Sequence, residues 1–88
     1  MTPHLTLFTR PGCHLCDDAW ALLEALAAEF AWDLAKVDIS GDEVLLPRLG
    51  NLIPVVDVEG GPLVYAPLTT ETLLDAVAAS AVAASRPA

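Results

Sequence analysis

Apolar and polar positions change period several times along the chain. His4-Leu5-Thr6-Leu7-Phe8-Thr9 alternates and is rich in strand formers, which predicts a first strand ended by Arg10-Pro11-Gly12. From Leu15 to Phe30 the residues Leu15, Ala19, Leu22, Leu23, Leu26 and Phe30 recur at three- and four-residue spacing, one apolar stripe on a long helix. Asp17 and Asp18 fall in its first turn, where carboxylates favour the positive end of the dipole. Trp32-Asp33-Leu34-Ala35-Lys36-Val37-Asp38-Ile39 alternates again as a second strand, closed by Ser40-Gly41-Asp42. A short helix is expected over residues 43–49, with Pro47 kinking or shortening it by removing a backbone donor.

Ile53-Pro54-Val55-Val56-Asp57-Val58 reads as a third strand, Glu59-Gly60-Gly61 as a turn and Pro62-Leu63-Val64-Tyr65 as a fourth strand, so the last two form a hairpin. Pro54 at the strand start costs no interior ladder bond. After Ala66-Pro67-Leu68, Thr69 or Thr70 caps a final helix with Leu73, Leu74, Val77, Ala78 and Ala81 as its buried stripe. Residues 85–88 are expected to fray. The order is βαβαββα: two parallel strands joined by a right-handed crossover, an antiparallel hairpin, and helices on both faces of a four-stranded mixed sheet. One α/β domain over residues 1–88, without repeat or linker, is the expectation.

Composition narrows the partners. The hydrophobic fraction is 55%, yet much of it is alanine, and Glu24, Glu29, Glu71 and Asp75 interrupt the two most apolar segments, so no membrane span is expected. Met1-Thr2-Pro3-His4-Leu5 has neither a basic n-region nor a long apolar h-region, which points to a cytoplasmic address. Arg10, Lys36, Arg48 and Arg86 stand against twelve acids, a net charge of -8, so nucleic acid would be repelled. The acids read first as a solvated surface.

The two cysteines, Cys13 and Cys16, lie three apart where the first strand passes into the first helix. There, unpaired amides and the helix dipole can stabilise a thiolate on Cys13, and Cys16, one turn on, is within reach of its sulfur. That suits thiol-disulfide exchange. For a metal, His14 or His4 would have to join the pair, and a closed zinc site wants four ligands; an ion or cluster shared between subunits stays open. Two packed thiols without chemistry is the bland alternative, disfavoured because a Pro-Gly junction is usually exposed.

Cys13-His14-Leu15-Cys16 after the first strand, with Ile53-Pro54-Val55-Val56 about forty residues later in a βαβαββα chain, resembles the glutaredoxin-like members of the thioredoxin superfamily. The resemblance runs from His4 to about Ala84. It implies a thioredoxin-like fold with Cys13 as nucleophile and Cys16 as resolving thiol. It also implies a cis Pro54 beside them, and the backbone of Ile53 offered to an incoming peptide or glutathione. Arg10 takes the place of a lysine that, in glutaredoxins, meets a glutathione carboxylate and favours the thiolate.

Two features depart from that pattern. The residues between the cysteines are His14-Leu15, and Tyr65-Ala66-Pro67-Leu68-Thr69-Thr70-Glu71 replaces a Gly-Gly and Asp-rich turn that holds the glutamyl end of glutathione. Thr69, Thr70 and the helix N-terminus would favour a carboxylate there while Glu71 would oppose one. His14, if protonated, would favour the thiolate; Asp17 and Asp18 would not. His4 reads as a surface histidine, and Trp20 and Trp32 as packing aromatics.

The expected activity is dithiol-disulfide oxidoreduction on protein disulfides or glutathione mixed disulfides, by a monomer that binds no cofactor, with glutathione as a candidate co-substrate. A metal or iron-sulfur binding module on the same fold is the alternative, and a redox-inert interaction domain a third.

Overall fold

A computed structural model describes residues 2–80. The alternating first segment forms β1 (His4–Thr9), followed by α1 (His14–Phe30), β2 (Asp33–Asp38), α2 (Leu45–Leu49), β3 (Val55–Val58), β4 (Leu63–Tyr65) and α3 (Thr70–Ala78). The sheet order is β2-β1-β3-β4. β1 pairs parallel with β2, Leu5 opposite Leu34, and antiparallel with β3, Leu7 opposite Val56; β3 and β4 form the antiparallel hairpin. This is the mixed α/β arrangement expected of a thioredoxin-like chain.

Burial on both faces follows from the period-two alternation of the central strands. Leu5 and Leu7 of β1, Val56 and Val58 of β3 and Val64 of β4 pack with Ala19, Leu23 and Leu26 of α1 and with Leu73 and Ala76 of α3. On the opposite face Val55 joins Ile39 and Leu49, with Phe8, Val37 and Ile53 against them. Two helices therefore cover one side of the sheet and the short α2 the other. Among the described residues no helix is long and apolar enough to cross a membrane.

Several boundaries differ from the expected ones for local reasons. Regular pairing in β3 starts at Val55, because Pro54 has no N–H and the Ile53 N–H donates to the Leu49 carbonyl (3.1 Å). α2 begins at Leu45 because the Asp42 carboxylate accepts from the N–H groups of Val44 (2.9 Å) and Leu45 (2.7 Å), closing the preceding turn. Pro47 sits inside this five-residue helix, in the first turn, where an N–H has no helical partner to lose. α3 is capped by Thr69, whose hydroxyl accepts from the Thr72 N–H while the Thr72 hydroxyl accepts from the Thr69 N–H, both at 3.1 Å.

The apolar stripe of α1 is shorter than its period suggests. Its buried members are Cys16, Ala19, Leu23 and Leu26, whereas Leu15 is 58% exposed and Phe30 44%, stacked on Trp32 with ring centroids 5.8 Å apart. On α3, Leu73 and Ala76 are buried, Leu74 and Val77 half-buried and Ala78 exposed. Ala81 and residues 85–88 lie outside the described residues.

The stripe's unequal burial gives a direct test. Leu23→Ala is expected to lower unfolding free energy by about 2–5 kcal/mol, since a fully buried leucine leaves a cavity. Leu15→Ala should cost about 0.5 kcal/mol or less. Urea denaturation of both variants would check the contrast, and equal losses would contradict it.

Candidate active site

Between the end of β1 at Thr9 and the start of α1 at His14 the chain reverses within four residues. Gly12 makes that possible with φ +78°, a left-handed conformation that a side chain would strain. Cys13, extended at φ -95° and ψ 96°, is the N-cap of α1. Its Sγ accepts a hydrogen bond from the Cys16 N–H at 3.1 Å, and its carbonyl accepts from the Asp17 N–H at 3.1 Å. The sulfur thus takes the place usually held by a serine or aspartate oxygen.

Cys13 and Cys16 are joined by a disulfide, their Cα atoms 5.2 Å apart. Their exposures are unequal: Cys13 is partly exposed, whereas Cys16 is 1% exposed. An incoming group can therefore reach the first sulfur and not the second. The helix dipole and the Cys16 amide both stabilise negative charge on Cys13 once the bond is reduced.

Beside the pair runs a groove of about 450 Å³, lined by Leu15, Asp18, Ala19 and Leu22 of α1, by Pro54, and by Ala66, Pro67 and Leu68 between β4 and α3. The Ile53–Pro54 and Ala66–Pro67 peptide bonds are both cis. The groove is the part of the site that sequence reading missed. Leu15 and Leu22 fit the helical stripe and were expected in the core, and Ala66-Pro67-Leu68 reads as a connecting loop. The available signal was an uninterrupted apolar loop carrying none of the usual polar turn residues.

The remaining candidates fall around this groove unequally. Pro54 is buried and forms part of its wall. Half-buried Ile53 has its N–H engaged by the Leu49 carbonyl at 3.1 Å. Arg10 is exposed and does not line the groove; its charge acts on Asp38, whose strand β2 runs beside β1. His14 is exposed at the first position of α1, and His4 is half-buried at the start of β1. The Thr69 hydroxyl serves the α3 cap. Trp32 belongs to the core, and half-buried Trp20 carries the Lys36 ammonium 4.4 Å from its ring centroid. Among the described residues no three His, Cys, Asp or Glu side chains gather as a metal-binding set, so a metal on the two cysteines would need ligands from elsewhere.

Asp38 shows the local electrostatics. Its carboxyl is held below 3.8 first by the Ser40 backbone N–H, which donates to Oδ1 at 2.9 Å, then by the Ser40 side chain, and last by the charge of Arg10. A depressed folded-state value means that this contribution to stability is present above the ordinary aspartate range and lost as pH falls through the lowered value. NMR titration should find the Asp38 midpoint below 3.8, and Arg10→Ala should move it upward only slightly, because the Arg10 charge is the smallest of these causes.

Unequal exposure predicts unequal chemistry. In reduced protein at neutral pH, iodoacetamide should modify Cys13 at least tenfold faster than Cys16. Peptide mapping after short exposure measures the ratio, and comparable rates would refute the exposure argument.

Comparison with known proteins agrees with the geometry. The family model described as "Glutaredoxin-like domain (DUF836)" matches residues 4–78. The X-ray structure of target protein XcR50 from X. campestris is 36% identical, with a TM-score of 0.65 over 82% of this chain and 96% of that one. The solution structure of protein Ne2328 from Nitrosomonas europaea is 22% identical and shares the fold, with a TM-score of 0.70 over 85% of this chain and 91% of that one. A search of curated proteins finds no match. With a Cys-x-x-Cys disulfide at the start of α1, a cis Ile53–Pro54 bond and a family match across most of its length, the chain belongs to the glutaredoxin-like family of the thioredoxin superfamily.

Proposed function

We propose that this protein is a thiol-disulfide oxidoreductase acting on disulfide-containing or glutathionylated proteins in a reducing compartment such as the cytoplasm. The observation that carries the reading is the disulfide at the N-terminus of α1 with one sulfur accessible and the other buried one turn away.

In the reducing direction, Cys13 thiolate attacks one sulfur of the substrate disulfide and forms a mixed disulfide. The other substrate sulfur departs as a thiolate and takes a proton. Cys16, deprotonated, then attacks Cys13 Sγ, forming the Cys13–Cys16 disulfide and releasing the second substrate sulfur as a thiolate. Two electrons pass from the pair to the substrate, and two molecules of an external thiol, glutathione among the candidates, restore the dithiol. The chain's own contribution is the helix N-terminus, which holds the Cys13 thiolate, and the proximity that makes the second attack intramolecular. Pro54 and the Ile53 carbonyl flank the path of the substrate backbone, and Arg10, three residues before Cys13, adds a cation to the same loop.

The test is equilibration with graded ratios of reduced to oxidised glutathione, followed by thiol trapping and mass measurement. A reversible two-electron transition is expected, lost in Cys13→Ser. Cys16→Ser should instead stop at a stable mixed disulfide on Cys13. Absence of the Cys13–Cys16 disulfide at every ratio would overturn the reading.

A further inference from the structure

The groove beside the cysteines carries information about what approaches them. Among the described residues, seven of the eight that line it are apolar, and the eighth is Asp18, one turn and a half beyond Cys13. The basic side chains of the described residues are elsewhere. Arg48 lines a separate groove with Phe8, Leu45, Leu63 and Tyr65, on the α2 side of the sheet, and Lys36 lies over Trp20. Arg10 stands outside the lining and faces the charge of Asp38. The whole chain carries -8. The α3 N-terminus, which would otherwise attract an anion to the loop after β4, has its Thr69 hydroxyl engaged by Thr72 and carries Glu71 in its first turn.

On the redox reading above, we infer that the preferred substrate is a protein disulfide in an extended segment. That segment places an apolar side chain in the groove and a lysine or arginine beside Asp18. A volume near 450 Å³ accommodates one or two large apolar side chains, and desolvating Leu15, Leu22 and Leu68 together supplies the binding. Leu15 is the residue between the pair that touches both features: it lines the groove, and it is followed directly by Cys16. A small thiol bearing two carboxylates finds neither term favourable: it has no apolar side chain to bury, and it meets Asp18 within an acidic molecule. Oxidised glutathione therefore serves as a slow oxidant, and reduced glutathione recharges the pair by attack at the partly exposed Cys13 without occupying the groove.

Oxidation of the reduced protein, followed by quenched thiol trapping, tests this with four oxidants. These are hydroxyethyl disulfide, oxidised glutathione, and two disulfide-linked peptides that differ only in carrying Leu-Lys or Leu-Glu next to the reacting cysteine. The Leu-Lys peptide is expected to react at least tenfold faster than either the Leu-Glu peptide or oxidised glutathione. Raising the salt concentration should shrink the lysine preference. Asp18→Asn should reduce that preference to threefold or less. Equal rates for the two peptides, or oxidised glutathione reacting fastest, would overturn the substrate assignment while reaction with hydroxyethyl disulfide upheld the redox reading. Failure to react with all four would overturn both.

Discussion

The structure turns on the seat of one sulfur atom. A helix beginning at His14 leaves its first amides without helical partners, and something must accept from them. Here that acceptor is Cys13 Sγ, which receives the Cys16 N–H. A disulfide sulfur accepts weakly, and a thiolate accepts strongly. The helix end is therefore better satisfied when the pair is reduced, which biases the couple toward being an oxidant. Asp17 and Asp18 act in the opposite sense by placing negative charge in the same turn. The potential of the pair is set by this competition, and the surrounding fold holds both sides of it in place.

That seat exists because β1 is a central strand. Its register with β2 runs from His4 to Thr9 and that with β3 from Leu5 to Phe8, and Leu5 and Leu7 are essentially fully buried, so the strand that leads to Thr9 is held from both sides. From there Gly12 supplies the single left-handed step that the reversal needs. α1 is anchored through Ala19, Leu23 and Leu26, and Cys16 lies on the same buried side. Cys16 is thus a core residue of the helix, and Cys13 is its cap. Neither role requires a mobile loop.

Much of this was legible in the sequence where one physical signal dominated. The alternation of His4 to Thr9, the three- and four-residue spacing along α1 and the Glu59-Gly60-Gly61 turn each report a local period or a local backbone demand, and all three appear in the structure. The Cys13–Cys16 pair was legible for the same reason, as a spacing placed at a strand-to-helix junction. The ends of elements were harder, because they depend on hydrogen bonds from other segments. Asp42 decides where α2 begins, and the Leu49 carbonyl holds Ile53 out of β3. The helix wall of the groove was not legible, and its loop wall showed only as an apolar connection. Leu15 and Leu22 satisfy the helical period whether another element covers them or none does, and periodicity cannot tell a core leucine from one lining a cleft.

The same groove explains why the departure after β4 matters. Glycines and an aspartate at that place would offer backbone amides and a polar rim, whereas Ala66-Pro67-Leu68 offers methyl, ring and isobutyl surface. Proline also removes one amide donor from the loop outright. A donor-poor wall cannot orient a carboxylate, yet it can exclude water from the sulfurs during exchange and bury an aliphatic side chain. Pro54, buried, and Leu68, half-buried, make the two sides of that wall, and each belongs to a segment running into a packed element, β3 or α3. On the proposed redox reading, selection by such a surface follows from what the partner brings to its disulfide: apolar bulk to displace water, and a positive charge to meet Asp18 where no described residue of the lining is a cation.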